Sequence, residues 1–340
     1  MNKFFAALLG CALLSAAGCA SRPSMPDWVS GNSQKYQAEQ YLIGRGQAAT
    51  PEEAKDRARA DLAKIFEVAV AADSEDVQRF NQKAEGKAEG KKAAGDYTAQ
   101  ATRRIVTRTD QIIQGVQLVE LWQDSSTKMQ HALAVLPRLQ AGTGLRQEIE
   151  RLDAATRKYL EQARTSSDIL AKIGAANLAL EAQIERAAYQ KSLRVVDPTG
   201  RGAESEWNTA KLNADLTDLL KRVRVAPRMA PGAPEGLSTV VSGALAAAGF
   251  LIETGEKPDY ILHAKLPLED LGLQQGWYWQ RGVLEITLTE VATSRVRGSK
   301  RWDIKVSAQQ QETARQRALV QAGRILKKEL RETMSGLSAP

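Results

Sequence analysis

Cysteine and histidine are nearly absent from this chain of 340 residues, which has two of each. Both cysteines, Cys11 and Cys19, fall within the first nineteen residues. The chain after Cys19 can therefore form no disulfide and no structural zinc site, which needs four nitrogen or sulfur ligands. His131 and His263 stand alone on separate strand-like stretches and nominate no nucleophile–base set. After residue 19 no apolar run reaches the roughly 20 residues that a membrane-spanning helix needs. Phosphate-binding loops are missing too, because Gly86-x-x-x-Gly90-Lys91-Lys92 lacks the P-loop spacing and its terminal Ser or Thr. Val241-Ser242-Gly243-Ala244 lacks the glycine that precedes the serine in a nucleophile elbow. Carboxylate pairs such as Glu52-Glu53 sit in first helical turns, where the helix dipole accounts for them. The sequence thus nominates no catalytic residue, no metal site and no cofactor, and a non-enzyme is expected. The net charge of +7 comes from bases mixed with acids along helices, the pattern of a solvated surface. No nucleic-acid partner is expected.

What is present begins with Met1-Asn2-Lys3, an apolar run from Phe4 to Leu14, and Ser15-Ala16-Ala17-Gly18-Cys19. A positive start, a short apolar core and a small-residue end make a secretory signal peptide, here over residues 1–18. Ala16-Ala17-Gly18-Cys19 resembles a bacterial lipobox. The resemblance implies cleavage before Cys19 and acylation of that residue. Two or more acyl chains make a stable anchor, so a membrane is an expected partner through Cys19. Residues 19–25 then form a polar tether. Ala20, where an Asp would retain the protein at the inner membrane, implies by resemblance to sorted lipoproteins an outer-membrane location facing the periplasm.

The fold expected is α+β in three parts: an α/β lipoprotein domain over 26–138, an antiparallel helical hairpin with a linker helix over 139–222, and a helix-on-antiparallel-sheet domain over 223–340. In the first part Tyr41-Leu42-Ile43 reads as a strand, and Gly44 and Gly46 as a bulge or a close approach of backbones. Thr50-Pro51-Glu52-Glu53 starts a helix with a capping threonine, proline at the first position and acids in the first turn. Ala54, Ala58, Leu62 and Ile65 form its apolar stripe, and Val68–Val70 a further strand. Pro26-x-Trp28-Val29, Tyr41-Leu42-Ile43-Gly44-x-Gly46, the alanine-rich helix, and the pair Gly115–Trp122 and His131–Leu136 together resemble the Lpp-twenty-type (LPP20-like) lipoprotein family. Ser74–Ala101 departs from a compact version of that domain as a polar excursion. The resemblance implies a surface lipoprotein and no chemistry.

From Arg138 onward Leu145, Ile149, Leu152, Thr156, Tyr159 and Ala163 recur at steps of four and three. Ile173, Asn177, Leu180, Ile184 and Ala187 do the same, as on coiled-coil helices. Thr165–Ser167 and Asp168 supply a turn and a cap between them. The two stripes pack on each other or hold a partner. A helix is expected over Glu206–Lys221, then a strand at Val223–Val225 with proline punctuation from Pro227. A small-residue helix over Leu237–Ala248 comes next, ended by Gly249. Alternating strands are expected at Tyr260–Leu266, Leu284–Leu288 and Trp302–Val306, and a closing helix over Glu312–Thr333. This order resembles the small periplasmic modules typified by the N-terminal domain of TolB.

One cluster stands out against the scarcity of aromatics, 5% of the chain. Gly276-Trp277-Tyr278-Trp279-Gln280-Arg281-Gly282 reads as a recognition loop, or as a strand edge whose rings cover the core. As a recognition loop, Trp277, Tyr278 and Trp279 would dock into a partner or stack on sugar, and Arg281 would pair with an acid. The expected role is envelope adaptor or assembly factor through an envelope protein partner; the alternative is binding of peptidoglycan or activation of cell-wall synthesis.

Overall fold

The computed structural model describes residues 25–31, 33–66, 115–255 and 257–337. The signal stretch, Cys19, most of the tether, the Val68–Val70 strand and the Ser74–Ala101 excursion lie outside the described residues. The architecture is α+β, and its chain divides into two compact units. Of the described residues, the first takes those up to Leu62 together with Gln117–Val135, and the second takes 63–66, 115–116 and those from Leu136 onward. Among the described residues no helix is long and apolar enough to cross a membrane.

The first unit holds a short helix α1 (Asp27–Ser30), strand β1 (Tyr41–Ala48) and helix α2 (51–66), then strands β2 (Gln117–Gln123) and β3 (Gln130–Pro137). The sheet order is β1-β3-β2, with β2 and β3 antiparallel and a bulge between Leu118 and Glu120. The expected helix start is realised, since Thr50 Oγ1 accepts from the Glu53 N–H at 3.4 Å. Gly44 and Gly46 are strand residues, and they serve the close approach rather than the bulge. A β-carbon on Gly46 would stand 1.9 Å from the Ala54 carbonyl oxygen, and one on Gly44 would stand 2.3 Å from that of Ala58. The α2 backbone therefore rests directly on β1, with Ala54, Ala58 and Leu62 buried. On the other side Trp28, 2% exposed, packs with Leu133 and Val135. Its indole Nε1 donates to Glu120 Oε2 at 2.7 Å, and Arg45 Nε donates to the Trp28 carbonyl at 2.6 Å.

The second unit opens with an antiparallel hairpin of α3 (Arg138–Thr165) and α4 (Ile169–Val196). Asp168 caps α4, its Oδ1 accepting from the N–H groups of Leu170 and Ala171 at 2.8 and 3.1 Å. At the far end Arg138 donates to the carbonyls of Val195 and Val196, closing the last turn of α4. The α3 stripe is as read for Leu145, Ile149, Leu152 and Thr156, all buried. In α4 the heptad is incomplete: Ile173, Asn177 and Leu180 are buried, but Ala187 is exposed. The reason is that α4 has neighbours on more than one side. Leu170, Ile173 and Leu180 enter a core shared with the sheet, while Gln183 and Arg186 reach Asp153 and Thr156 of α3.

Helix α5 (Thr209–Leu220) starts three residues later than Glu206, because Asn208 is the residue whose side chain accepts from the Lys211 N–H. Beyond it lies a six-stranded sheet: β4 (Arg224–Met229), β5 (Leu251–Ile252), β6 (Tyr260–Lys265), β7 (Leu268–Gln274), β8 (Trp277–Glu290) and β9 (Val296–Ala308). Helices α6 (Leu237–Ala248) and α7 (Gln311–Gly336) pack on it. The order is β5-β4-β6-β8-β7 with β9 along the other side of β8, and β6, β7 and β9 are antiparallel to β8. Strand β4 is parallel to β5 and β6, since α6 carries the chain across between them. Pro227 lies inside β4 rather than ending it. β5 covers only Arg224 and Val225, so Pro227 sits where that side of the strand is an open edge. Even-numbered residues of β8 (Leu284, Ile286, Leu288) join Leu262, Ile304, Val241, Ala318 and Leu326 in the core. Leu216 and Leu220 of α5 join the same core, so residues 139–222 and 223–340 share one interior.

Candidate functional site

Of the two readings of the aromatic stretch the structure takes the strand, and the loop before it is only two residues long. Gln275 and Gly276 both have left-handed backbone, at φ 51° and 80°, and close a tight hairpin between β7 and β8. Two residues with positive φ match the right-handed twist of the flanking strands. Trp277, Tyr278 and Trp279 consequently open β8, with β7 on one side and, from Tyr278, β9 on the other.

Alternation along β8 separates the cluster. Tyr278 shares its face with Gln280, Gly282 and the core residue Leu284, and is half-buried. Trp277, Trp279 and Arg281 share the opposite face. Trp277 is 40% exposed, and Leu273 at the end of β7 is 59% exposed. The ring of Trp279 is half-buried under Lys305, whose Nζ lies 5.1 Å from the ring centroid. That arrangement is a cation–π contact. Arg281 is exposed and stands in register with Glu269 of β7 and Lys305 of β9. Two cations side by side on neighbouring strands repel, so this end of the sheet face combines apolar rings with local positive charge.

The rest of that face is occupied by charge pairs. Glu285 of β8 accepts from Lys265 of β6 at 3.2 Å and from Arg301 of β9. Burial opposes the Glu285 carboxylate, yet the Lys265 and Arg301 contacts outweigh it and hold the pKa below the ordinary glutamate value. This side of β8 carries none of the core residues that the helices of the unit bury. Of the residues singled out in the sequence, the structure brings together Trp277, Trp279 and Arg281, adds Lys305, and turns Tyr278 away. Cys19 lies outside the described residues. Lys305 went unnoticed because it is far away in sequence; only the β8–β9 register brings it over Trp279. His131 packs against the Trp122 ring at 5.2 Å, which accounts for it structurally. Among the described residues no group of three or more His, Cys, Asp or Glu is placed to hold a metal ion.

No curated protein matches the chain. Among solved structures, the secreted protein HP1454 of Helicobacter pylori is 12% identical, with a TM-score of 0.41 over 85% of this chain and 97% of its own. A lipoprotein of Caulobacter crescentus described as putative in its structure report is 18% identical, with a TM-score of 0.26 over 34% of this chain and 93% of its own. A minor lipoprotein of Acinetobacter baumannii is 15% identical, with a TM-score of 0.24 over 34% of this chain and 89% of its own. Scores below 0.5 carry no weight for function. The sequence itself gives the firmer relation, to the LPP20 lipoprotein family model, which matches residues 26–136. That match covers β1, α2 and the β2–β3 hairpin, so the N-terminal part of the chain is similar to the LPP20 lipoprotein family over residues 26–136.

Proposed function

We propose that the protein is an outer-membrane lipoprotein, anchored through Cys19 and facing the periplasm, that works as an envelope adaptor by contact rather than by turnover. The LPP20 match supports the anchor, and Ala20 after the cysteine supports the outer membrane. The observation that carries the adaptor role is the shared face of Trp277, Trp279 and Arg281 at a hairpin end, on the side of β8 away from the helices. Large aromatics and arginine are the side chains that dominate protein-binding hot spots.

A photoreactive residue at Trp277 tests the reading in cells, with Tyr278 as a control on the opposite face. The expected result is one envelope protein in the Trp277 adduct and not in the Tyr278 adduct. No protein adduct, or the same adducts from both positions, sinks it. The exposed face of Trp277 also suits stacking on a sugar ring, which keeps peptidoglycan as the second reading. Insoluble peptidoglycan should then retain the wild type and release Trp277→Ala. Cells treated with globomycin should accumulate unprocessed protein, and normal cleavage there would refute lipidation at Cys19.

A further inference from the structure

Strand β9 is the longest open edge of the six-stranded sheet. It pairs with β8 from Val296 to Ala308, and among the described residues no strand pairs with its other side. An unpaired edge offers a row of free N–H and C=O groups to any chain that can lie beside it. Proteins commonly blunt such edges with lysines, and like charges set against each other repel a second identical edge.

The charges of β9 have both signs. On the face away from the helices it presents Ser299, Arg301, Asp303, Lys305 and Ser307. Arg301 is paired with Glu285 of β8. Asp303 and Lys305 are exposed, and neither enters an ion pair among the described residues. On the helix side Ile304 is buried, and Trp302 and Val306 are half-buried at the margin of the core.

This pattern complements itself. Two identical strands that pair antiparallel meet about a two-fold axis through one residue position. Centring on Arg301, Asp303 or Lys305 sets a charge against itself. Centring on Trp302 sets Lys300 against an isoleucine, and centring on Val306 leaves only 304–308 to pair. Centring on Ile304 satisfies both faces. Asp303 then faces the partner's Lys305, Lys305 faces the partner's Asp303, and Trp302 faces the partner's Val306. Arg301 meets the partner's Ser307 and keeps Glu285.

We propose that β9 pairs with the β9 of a second copy, antiparallel and centred on Ile304, so that the six-stranded sheet continues across a two-fold axis. The pairing keeps both outer faces on one side, and the dimer displays two Trp277 surfaces together. It rests on the β9 edge and not on the adaptor reading of Trp277.

Sedimentation equilibrium of the full chain in density-matched detergent tests it. One strand pair makes an interface at the small, weak end of the usual range, so the mass is followed to high protein concentration. A concentration-dependent dimer is expected. Asp303→Lys sets lysine against the partner's Lys305 at two places, and should raise the dimer dissociation constant at least about tenfold. Asp303→Lys combined with Lys305→Asp restores both pairs and should recover the wild-type value. Both positions are exposed, and circular dichroism checks that each variant is folded. Disulfide trapping reads the register. Co-expressed Arg301→Cys and Ser307→Cys chains should link to each other, because directly opposed strand residues have Cα atoms about 5 Å apart. Arg301→Cys alone should not link, since its two copies would stand roughly 20 Å apart along the strands. A monomer at every concentration overturns the proposal and leaves the edge to another protein. So does a dimer that Asp303→Lys leaves intact, a double variant no better than Asp303→Lys, or a link between two Arg301→Cys chains.

Discussion

Glu329 of α7 illustrates how one indole sets a carboxylate. Its Oε2 accepts from Trp302 Nε1 at 2.9 Å and from Lys300 Nζ at 3.0 Å. The Trp302 bond first, and Lys300 after it, hold the pKa below the ordinary value of 4.5 in spite of partial burial. A carboxylate with a depressed folded pKa contributes stability above its unfolded value and loses it as pH falls through the folded one. Trp302→Phe removes the donor and keeps most of the ring. It should cost about 1 kcal/mol at neutral pH, given that Glu329 is partly exposed. The gap between variant and wild type should narrow as the pH falls from the unfolded pKa of Glu329 through its lowered folded one. Denaturant titrations across that range decide it, and a gap independent of pH would assign the cost to ring packing instead. At this scale the sequence was informative where backbone geometry imposes a requirement. Gly44 and Gly46 were legible as a bulge or a close approach, and the structure makes them the latter because only glycine leaves room for the α2 carbonyls. The partner of Trp279 was not, because Lys305 reaches it only through strand pairing.

At the scale of elements, the α3–α4 hairpin is joined by a buried ion pair. Arg186 Nε donates to Asp153 Oδ1 at 2.7 Å, with the two side chains 4% and 17% exposed. Gln183 adds bonds to Asp153 and to the buried hydroxyl of Thr156, and Arg186 also reaches the carbonyl of Glu204 in the segment after α4. A buried pair is weak evidence of net stabilisation, but removing one partner strands the other. Asp153→Ala should therefore cost about 3–5 kcal/mol, and Asp153→Ala with Arg186→Leu should recover a large part of it. Thermal melts of the single and double variants read the difference, and additive losses would mean that the two side chains act separately. None of this network was legible, because Asp and Arg on a helix read as solvated. The same limit hid β7: with only half-buried and exposed residues along Leu268–Gln274, it lacks the alternation that reveals a strand. The hairpin turn after it uses Gln-Gly where Asn-Gly or Asp-Gly gives the strong signal, so the sequence left the aromatic stretch open between a recognition loop and a strand edge. Helices α6 and α7 were legible to within a few residues, because each buries one stripe and α6 ends on Gly249 in left-handed conformation.

At the scale of the molecule, the composition of the second unit's core determines what can fold alone. A change of pattern from helices to strands suggests a boundary near residue 223, yet Leu170, Ile173 and Leu180 of α4 and Leu216 and Leu220 of α5 lie in the core under the sheet. A second tie joins the same elements: Asp168, the cap of α4, pairs through its other carboxylate oxygen with Arg297 of β9, which also faces Glu290 at 3.6 Å. Burying the five aliphatic side chains contributes roughly 10 kcal/mol, comparable to the whole stability of an average domain. Residues 223–340 expressed alone should consequently lack a cooperative melt and bind hydrophobic dyes, whereas 136–340 should unfold in one sharp transition. Circular dichroism and calorimetry on the two fragments decide between the views. A cooperative melt of 223–340 close to that of the longer fragment would mean that the helical segment only lies against a finished domain. If 136–340 alone melts sharply, the hairpin is part of the scaffold that holds β8 in place. A surface at Trp277 would then be displayed by the whole unit, and the exposed parts of α3 and α4 would remain available for other contacts.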